Sequence, residues 1–250
     1  MLSPQSTLHL DQSSHVVALI TTALLKPVSP ETSLVFKRAA DIQKQTGCRV
    51  TILHVTERMR PESDVKELIS MKILVQRANQ YFDAKFESTV EYAATSFKAV
   101  SNAFGKLDGD LLLKQHAGDS LDKTDTLSID LLSSASFPVW FTNSDASIDE
   151  ISARVNGAYV VREDDVLTCH VANTLGVCFE SDVHVLQTAP RRLSQDTGDL
   201  VVTCVPSPNG CSDENLNRRR HDAALMLRGP VDFDLLVHRG CEVGDLSRAA

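Results

Sequence analysis

Short apolar runs alternate with amphipathic stretches along the first part of the chain. His15–Thr22 (HVVALITT) and Arg49–Thr56 (RVTILHVT) are apolar, rich in β-branched residues and of strand length. Between them, apolar residues recur at helical spacing up to Gly47, which stands where a glycine commonly ends a helix. The pattern therefore predicts a β-α-β unit.

The same alternation continues as far as residue 142. The predicted elements are, in order, a helix from about Ser63 to Phe82, an edge strand at Lys85–Tyr92, a short helix from Phe97 that ends at Gly105, a strand at Asp110–His116, a helix around Leu127–Leu132 and a closing strand at Pro138–Thr142. Alternation of strand and helix through five strands is typical of a doubly wound parallel sheet with right-handed crossovers. We expect an α/β fold with a five-stranded parallel sheet.

The composition changes near residue 145. Every lysine lies before this point, and five of the six cysteines lie after it. The segment Asn143–Asp149 (NSDASID) is polar and is typical of a linker. We therefore expect two domains, over residues 1–145 and 146–250.

The second domain is predicted to be a shortened, degenerate copy of the first. The elements that match are a weak strand at Ala158–Val161, a helix at Val166–Gly176 that ends in glycine, and strands at Asp182–Thr188, Asp199–Cys204 and Asp234–His238. Residues 189–198 alone separate its second and fourth strands, whereas residues 57–109 do so in the first copy. The missing helix–strand–helix insert would remove an edge strand, so the sheet could survive with a smaller core.

The net charge of −8 argues against nucleic acid and anionic membranes as partners, because phosphate contacts require lysine or arginine. No stretch approaches the roughly 20 apolar residues of a membrane span. Met1–Ser14 lacks the features of a secretion signal, and the six cysteines show no C-x-x-C pair or zinc-finger spacing. Scattered thiols without an export signal fit a reducing compartment, so the expected location is the cytoplasm.

Three segments carry a resemblance to a known family: LHVTE at 53–57, DLLLKQHAG at 110–118 and FPVWF at 137–141. Together with the order of elements, they make the chain resemble the universal stress proteins, nearest to the tandem two-domain kind. The resemblance implies a sheet in the order 3-2-1-4-5, with ligand near the carboxyl ends of strands 1 and 4. It also implies a role in the response to stress.

The residues that hold nucleotide in such proteins are missing. The nucleotide-binding members have an acid after the first strand, where this chain has Thr21 and Thr22. They also have G-x2-G-x9-G-[S/T] after the fourth strand, where this chain has Gly118 alone and places Asp125 at about the last glycine. A carboxylate close to a phosphate is repelled by on the order of a few kcal/mol. We therefore expect no ATP in the usual mode, and no cofactor.

A small ligand in the cleft would contact side chains at the ends of the central strands. The candidate ligand-binding residues are Thr21, Thr22, His54, Gln115, His116, Gly118 and Thr126. His54 is alternatively a hydrogen-bonded structural histidine, which is the favoured interpretation. His116 with Asp119 could form a general base with its orienting acid, but no nucleophile motif accompanies them, and a polar loop is favoured. We assign no catalytic residue.

Two groups in the second copy have spacings that suggest metal or anion sites. Asp234, His238 and Cys241 resemble a set of metal ligands, but four residues of a strand span about 13 Å, too far for one ion. We assign no metal. The run Arg218–Arg220 could hold a phosphate, but its acidic neighbours favour a solvated helix face.

The closing strands, PVWFT and DLLVH, end the two copies. In the universal stress proteins, which the chain resembles, fifth strands pair edge to edge across a two-fold axis. We expect these two strands to pair within one chain as a pseudo-dimer, because the pairing would cover two exposed edges. A cut within 143–149 that leaves two independently soluble halves would contradict this, and a homodimer stays open.

The leading interpretation is a non-catalytic stress-response protein, not an enzyme, that senses a small-molecule ligand or docks to a protein partner. The runner-up is an ATP- or AMP-binding protein with a rebuilt phosphate loop at Gln115–Ser120 and slow ATP hydrolysis. A third interpretation is a structural interaction module whose shortened copy is a built-in dimerisation partner. Saturable nucleotide binding would separate the second from the other two, since fold-level likeness does not settle function.

Overall fold

In the first half of the chain, up to residue 142, strands and helices alternate as predicted. The computed structural model describes residues 8–20, 30–56, 61–94, 96–115, 125–142, 157–161, 166–186, 199–205, 213–227 and 233–238. The elements of the first half are β1 His15–Ile20, α1 Leu34–Thr46, β2 Arg49–Thr56, α2 Pro61–Phe82, β3 Phe86–Tyr92, α3 Phe97–Lys106, β4 Leu111–Gln115, α4 Thr126–Ser134 and β5 Val139–Thr142.

The second half, from residue 157, repeats the alternation with fewer elements. These are β6 Gly157–Val161, α5 Val166–Phe179, β7 Asp182–Leu186, β8 Asp199–Cys204, α6 Asp213–Leu227 and β9 Phe233–His238. The predicted strands are therefore present in both halves, within one or two residues of the expected bounds. None of the helices in the described part of the chain is long and apolar enough to cross a membrane.

Nine strands of the described residues form a single sheet, in the order β3-β2-β1-β4-β5-β9-β8-β6-β7. The first five strands have the expected order 3-2-1-4-5, and β1 lies between β2 and β4 in parallel register. Counted from the other edge of the sheet, the strands of the second half have the order β7-β6-β8-β9, which corresponds to β2-β1-β4-β5 of the first half. At its outer edge the described strands include no equivalent of β3, which is the strand expected to be lost.

The two halves meet at an antiparallel pair of strands. β5 runs against β9, with Trp140 opposite Leu236 and Phe141 opposite Leu235. The predicted pairing of the closing strands within one chain is therefore confirmed. Because each strand covers the other, neither presents its backbone groups along this edge to a second copy.

Helices on both faces of the sheet bury it completely in the centre. All six residues of β1 are buried, as are the apolar residues of β4, which explains their uninterrupted apolar runs. One apolar cluster lies under α1, α2 and α5, and the other lies under α3, α4 and α6. Both clusters include residues of the two halves, so the core continues across the seam between β5 and β9.

Glycine ends the first helix as predicted, but two other glycines do not. Gly47 is left-handed (φ 72°) and its N–H donates to Gln43 O, which ends α1. The sequence also predicted that Gly105 and Gly176 end helices, and this was wrong, because α3 and α5 continue past them. Asp108 (φ 48°) and Glu180 (φ 51°) take the left-handed conformation instead.

Candidate functional site

The candidate site lies at the carboxyl ends of the neighbouring parallel strands β1 and β4. The chain leaves β1 for β2 on one side and reaches β4 on the other, which makes this the topological switch point of the sheet. Ligands bind at such points in open α/β sheets. In the described residues, the end of β4 and the beginning of α4 supply the polar groups here.

Lys114 is the buried charge of this region. It lies on β4 next to Gln115, and only 2% of the residue is exposed. Its Nζ donates to Gln115 O (2.9 Å), Asp125 Oδ2 (2.5 Å) and Ser128 Oγ (2.8 Å). Three acceptors match the three N–H groups of an ammonium, so the side chain is held as a cation.

Asp125 connects this cation to the N-terminus of α4. Its Oδ1 accepts the backbone N–H of Ser128 (3.1 Å), which is the N-cap hydrogen bond of the helix. Its Oδ2 accepts the Ser128 hydroxyl (2.8 Å) in addition to the Lys114 ammonium. Lys114, Asp125 and Ser128 thus form a closed triangle of hydrogen bonds, which we call the Lys114 triad.

The charges of the Lys114 triad stabilise one another against burial. Burial alone would raise the pKa of Asp125, but the Lys114 charge and the hydrogen bonds from Lys114 and Ser128 lower it to about 2. Burial lowers the pKa of Lys114, and the attraction of Asp125 offsets part of this. The carboxylate is therefore ionised at neutral pH and faces the positive end of the α4 dipole.

This arrangement places a carboxylate of the chain where a helix N-terminus would otherwise bind an anion. Backbone N–H groups and the dipole at such an end are suited to phosphate. Here one of these donors, Ser128 N–H, is bonded to Asp125, and the adjacent cation is bonded to the same carboxylate. A phosphate could use these groups only by displacing Asp125.

His54 is held by two oxygen atoms. It is completely buried at the end of β2, with Nε2 3.0 Å from Glu67 Oε1 and Nδ1 3.3 Å from Ile20 O. Glu67 lies on α2 and Ile20 is the last residue of β1. The contacts join three elements, which fits the structural role that the sequence favoured.

Of the other predicted ligand-binding residues, two are described and four are not. Gln115 is half-buried at the end of β4, and its Oε1 has no hydrogen-bond partner among the described residues. Thr126 is exposed in the first turn of α4, directly after Asp125. The predicted site residues Thr21, Thr22, His116 and Gly118 lie outside the described residues, as does Asp119.

The residues weighed as metal ligands have other partners. His238 is buried, and its Nε2 lies 2.8 Å from Thr168 Oγ1. Asp234 accepts hydrogen bonds from Arg38 and Trp140, and Cys241 lies outside the described residues. In the part of the chain that the structure describes, no group of three His, Cys, Asp or Glu side chains could hold a metal ion. The run Arg218–Arg220 lies within α6.

Lys114 was not identified as a site residue from the sequence. Its signal is the run LLLKQ, in which a lysine follows three apolar residues of a strand covered on both faces. A lysine at such a position is buried, and a buried ammonium requires an acidic partner. Asp125 is the N-cap residue of α4, and its expected place near a phosphate stays a prediction.

Comparison with known proteins gives structural matches and no sequence matches. No protein-family model matches the chain, and no curated protein matches it in sequence. A functionally unknown protein from Pseudomonas aeruginosa PAO1 is similar over 91% of this chain and 92% of its own, at 12% identity and a TM-score of 0.57.

Two further structures that match bear the name of the family that the sequence resembles. The match with a putative universal stress protein from Pseudomonas aeruginosa UCBPP-PA14 spans 95% of this chain and 78% of that protein's chain, at 15% identity and a TM-score of 0.46. The match with a universal stress protein in complex with cAMP spans 70% of this chain and 98% of that protein's chain, at 13% identity and a TM-score of 0.32. At these identities the likeness that counts is that of the first structure, and the chain shares its fold.

Proposed function

We propose that the chain is a non-catalytic stress-response protein of the universal stress type, in which the phosphate position is occupied by the protein's own carboxylate. Its sequence resembles that family at the ends of strands 2 and 4 and at the closing strand. The sheet order agrees with the order that the resemblance implies. The protein would act through a small ligand other than ATP, or through a protein partner.

The Lys114 triad is the observation that supports this proposal. A phosphate at the start of α4 would lie beside the ionised Asp125, and two unit charges 4 Å apart repel by about 4 kcal/mol at an effective dielectric constant of 20. Moving Asp125 away would remove the carboxylate from a lysine that is 2% exposed. A phosphate that displaced Asp125 would give Lys114 a new anion, but it would break the bonds of the carboxylate to the Lys114 ammonium, the Ser128 hydroxyl and the Ser128 N–H that caps α4. Neither route therefore leaves ATP a favourable site.

A ligand-dependent change of state is the mode of action that fits these features. No nucleophile or general base is needed for it, because a ligand acts by stabilising the conformation that it binds better. Gln115 is half-buried at the end of β4, and its Oε1, which is buried and has no hydrogen-bond partner among the described residues, is the acceptor that such a ligand would have to reach. A neutral polar molecule suits this position better than a phosphate, since Asp125 lies beside it.

Removing the carboxylate while keeping the cation tests the proposal. Asp125→Asn retains a side-chain oxygen to cap α4 and leaves Lys114 without its anion, so a bound phosphate could replace the lost charge. We expect inorganic phosphate and ATP to raise the melting temperature of Asp125→Asn and to leave that of the wild type unchanged. Asp130→Asn, which removes an exposed carboxylate of the same helix, is the matched control and should behave as wild type.

Two results would contradict the proposal. Saturable ATP binding by the wild type would show that Asp125 does not occupy the phosphate position and would favour a nucleotide-binding protein with a rebuilt loop. Release of phosphate from ATP by the wild type, absent in a buffer-matched blank and saturable in ATP, would contradict the non-catalytic assignment.

A further inference from the structure

The seam between β5 and β9 has the geometry of a pseudo-two-fold axis. Aligning the closing segments Pro138–Thr142 and Asp234–His238 makes Trp140 equivalent to Leu236, and these two residues face each other across the antiparallel pair. By the same alignment Asp234 is equivalent to Pro138. In a symmetric dimer, each contact at such a seam would occur twice.

A buried charge pair crosses the seam on one face of the sheet. Arg38 of α1 donates from Nε to Asp234 Oδ2 on β9 (2.8 Å), and Trp140 of β5 donates from Nε1 to the same oxygen (2.9 Å). Arg38 is 2% exposed and Asp234 is 4% exposed. The guanidinium also lies 5.7 Å from the centre of the Trp140 ring, and its Nη1 lies 3.8 Å from Asp41 Oδ2.

The charge pair has no symmetric counterpart. The left-handed residues that follow α1 and α5, Gly47 and Glu180, align the two helices. Counted back from them by the same number of residues, Arg38 of α1 is equivalent to Val171 of α5. The equivalents of Arg38 and Asp234 are therefore Val171 and Pro138, which carry no charge. One side of the pseudo-axis has an ion pair where the other side has apolar residues.

We propose that this one-sided ion pair makes the seam selective for unlike halves, so that the surface of β5 and α1 accepts the chain's own second half and rejects a second copy of the first. If two first halves paired, each Arg38 would face Pro138 and would lose the short bond to Asp234, keeping only the longer 3.8 Å contact of its Nη1 with Asp41 Oδ2. If two second halves paired, each Asp234 would face Val171 and would lose its guanidinium. Both arrangements bury charged side chains without the Arg38–Asp234 bond, whereas an apolar seam would not discriminate between like and unlike halves.

Cleavage of the folded protein tests this selectivity. A protease site is inserted between Ser144 and Asp145 of the full chain, the purified protein is cut, and the composition of the fragment complexes is measured by native mass spectrometry. The wild type should give only one-to-one complexes of the two unlike fragments. The double variant Arg38→Met/Asp234→Leu, which replaces the pair by apolar side chains, should also give complexes of two N-terminal fragments.

Control variants separate selectivity from general loss of charge. Lys106→Met/Glu91→Leu removes an exposed ion pair (2.7 Å) away from the seam and should keep the wild-type composition. If the apolar double variant does not fold, Asp234→Asn provides the second test. It keeps an acceptor for Trp140, but it should weaken the association of unlike fragments on the order of 100-fold, because the buried Arg38 loses its short charged bond and keeps only the 3.8 Å contact with Asp41.

Three outcomes would overturn the proposal. One is a wild-type digest that contains complexes of two like fragments. Another is a digest whose fragments separate without pairing at all. The third is an apolar double variant, or Asp234→Asn if that variant is used, with the composition and affinity of the wild type.

Discussion

Removal of the Asp125 carboxylate should destabilise the protein mainly through Lys114. In Asp125→Ser the new hydroxyl can still cap α4, so the loss of the N-cap is small. The ammonium of Lys114, which is 2% exposed, keeps Gln115 O and Ser128 Oγ but loses its anion. Breaking a buried pair in this way costs about 3–5 kcal/mol.

If the unpaired charge of Lys114 causes the loss of stability in Asp125→Ser, removing that charge as well should restore the stability. Lys114→Met has a similar volume and no charge, so Lys114→Met/Asp125→Ser should lie within about 1.5 kcal/mol of the wild type. A control in the exposed pair, Lys106→Met, should change the free energy of unfolding by less than about 1 kcal/mol. The ordering of the three variants tests the ion pair itself, because loss of the cap alone would affect the single and double variants equally.

The free energy of unfolding can be measured by urea titration at neutral pH. Far-UV circular dichroism reports the helices, and the fluorescence of Trp140, the single tryptophan, reports the seam. Coincident transitions allow a two-state treatment. A cost below about 1 kcal/mol for Asp125→Ser, or a double variant as unstable as the single one, would refute the reasoning.

Four further predictions concern pH dependence and backbone conformation. The pKa of Asp125 is lowered to about 2, so the stability that its ionised carboxylate gives the fold is present above pH 4 and should be lost as the pH falls through 2. Acid unfolding of Lys114→Met/Asp125→Ser should not show this loss. Burial lowers the pKa of His15 in the folded protein, so the unfolded chain binds a proton there at a higher pH than the folded chain does. The free energy of unfolding measured by urea titration should therefore fall as the pH drops below about 6.5, and His15→Gln should flatten this dependence. Gly47→Ala should lower the melting temperature, because φ is 72° and the new Cβ would lie 2.9 Å from Gln12 Cγ. Gly105→Ala should raise the free energy of unfolding by up to about 1 kcal/mol, because residue 105 is helical and the new Cβ would have no atom within 4 Å.

The sheet could be predicted from the sequence because its signals are local and repeated. Each buried strand is an apolar run, and the short distance between the second and fourth strands of the second half predicts the loss of the equivalent of β3, which the described strands of that half do not include. The ends of α3 and α5 could not be predicted from glycine alone. Asp108 and Glu180 adopt the left-handed conformation, which non-glycine residues take at a modest energetic cost.

The candidate site could be predicted only in part. Its place at the ends of β1 and β4 follows from topology, and Asp125 could be placed by counting back from the closing strand. The Lys114 triad depends on how β4 packs against the start of α4, which no local pattern specifies. The pair of Arg38 with Asp234 joins residues far apart in sequence and becomes visible only when the two closing strands are in register.

A thermal-unfolding scan of the wild-type protein with and without excess ATP and Mg²⁺ tests most directly whether Asp125 excludes nucleotide. Native mass spectrometry of the purified protein should first establish that no nucleotide is bound. A ligand at 100 times its dissociation constant would stabilise the fold by about 2.7 kcal/mol, which corresponds to roughly 5–10 °C for a chain of this size. We predict no shift and no bound nucleotide. A clear rise in the melting temperature, or a nucleotide that copurifies, would contradict the assignment of the phosphate position to Asp125.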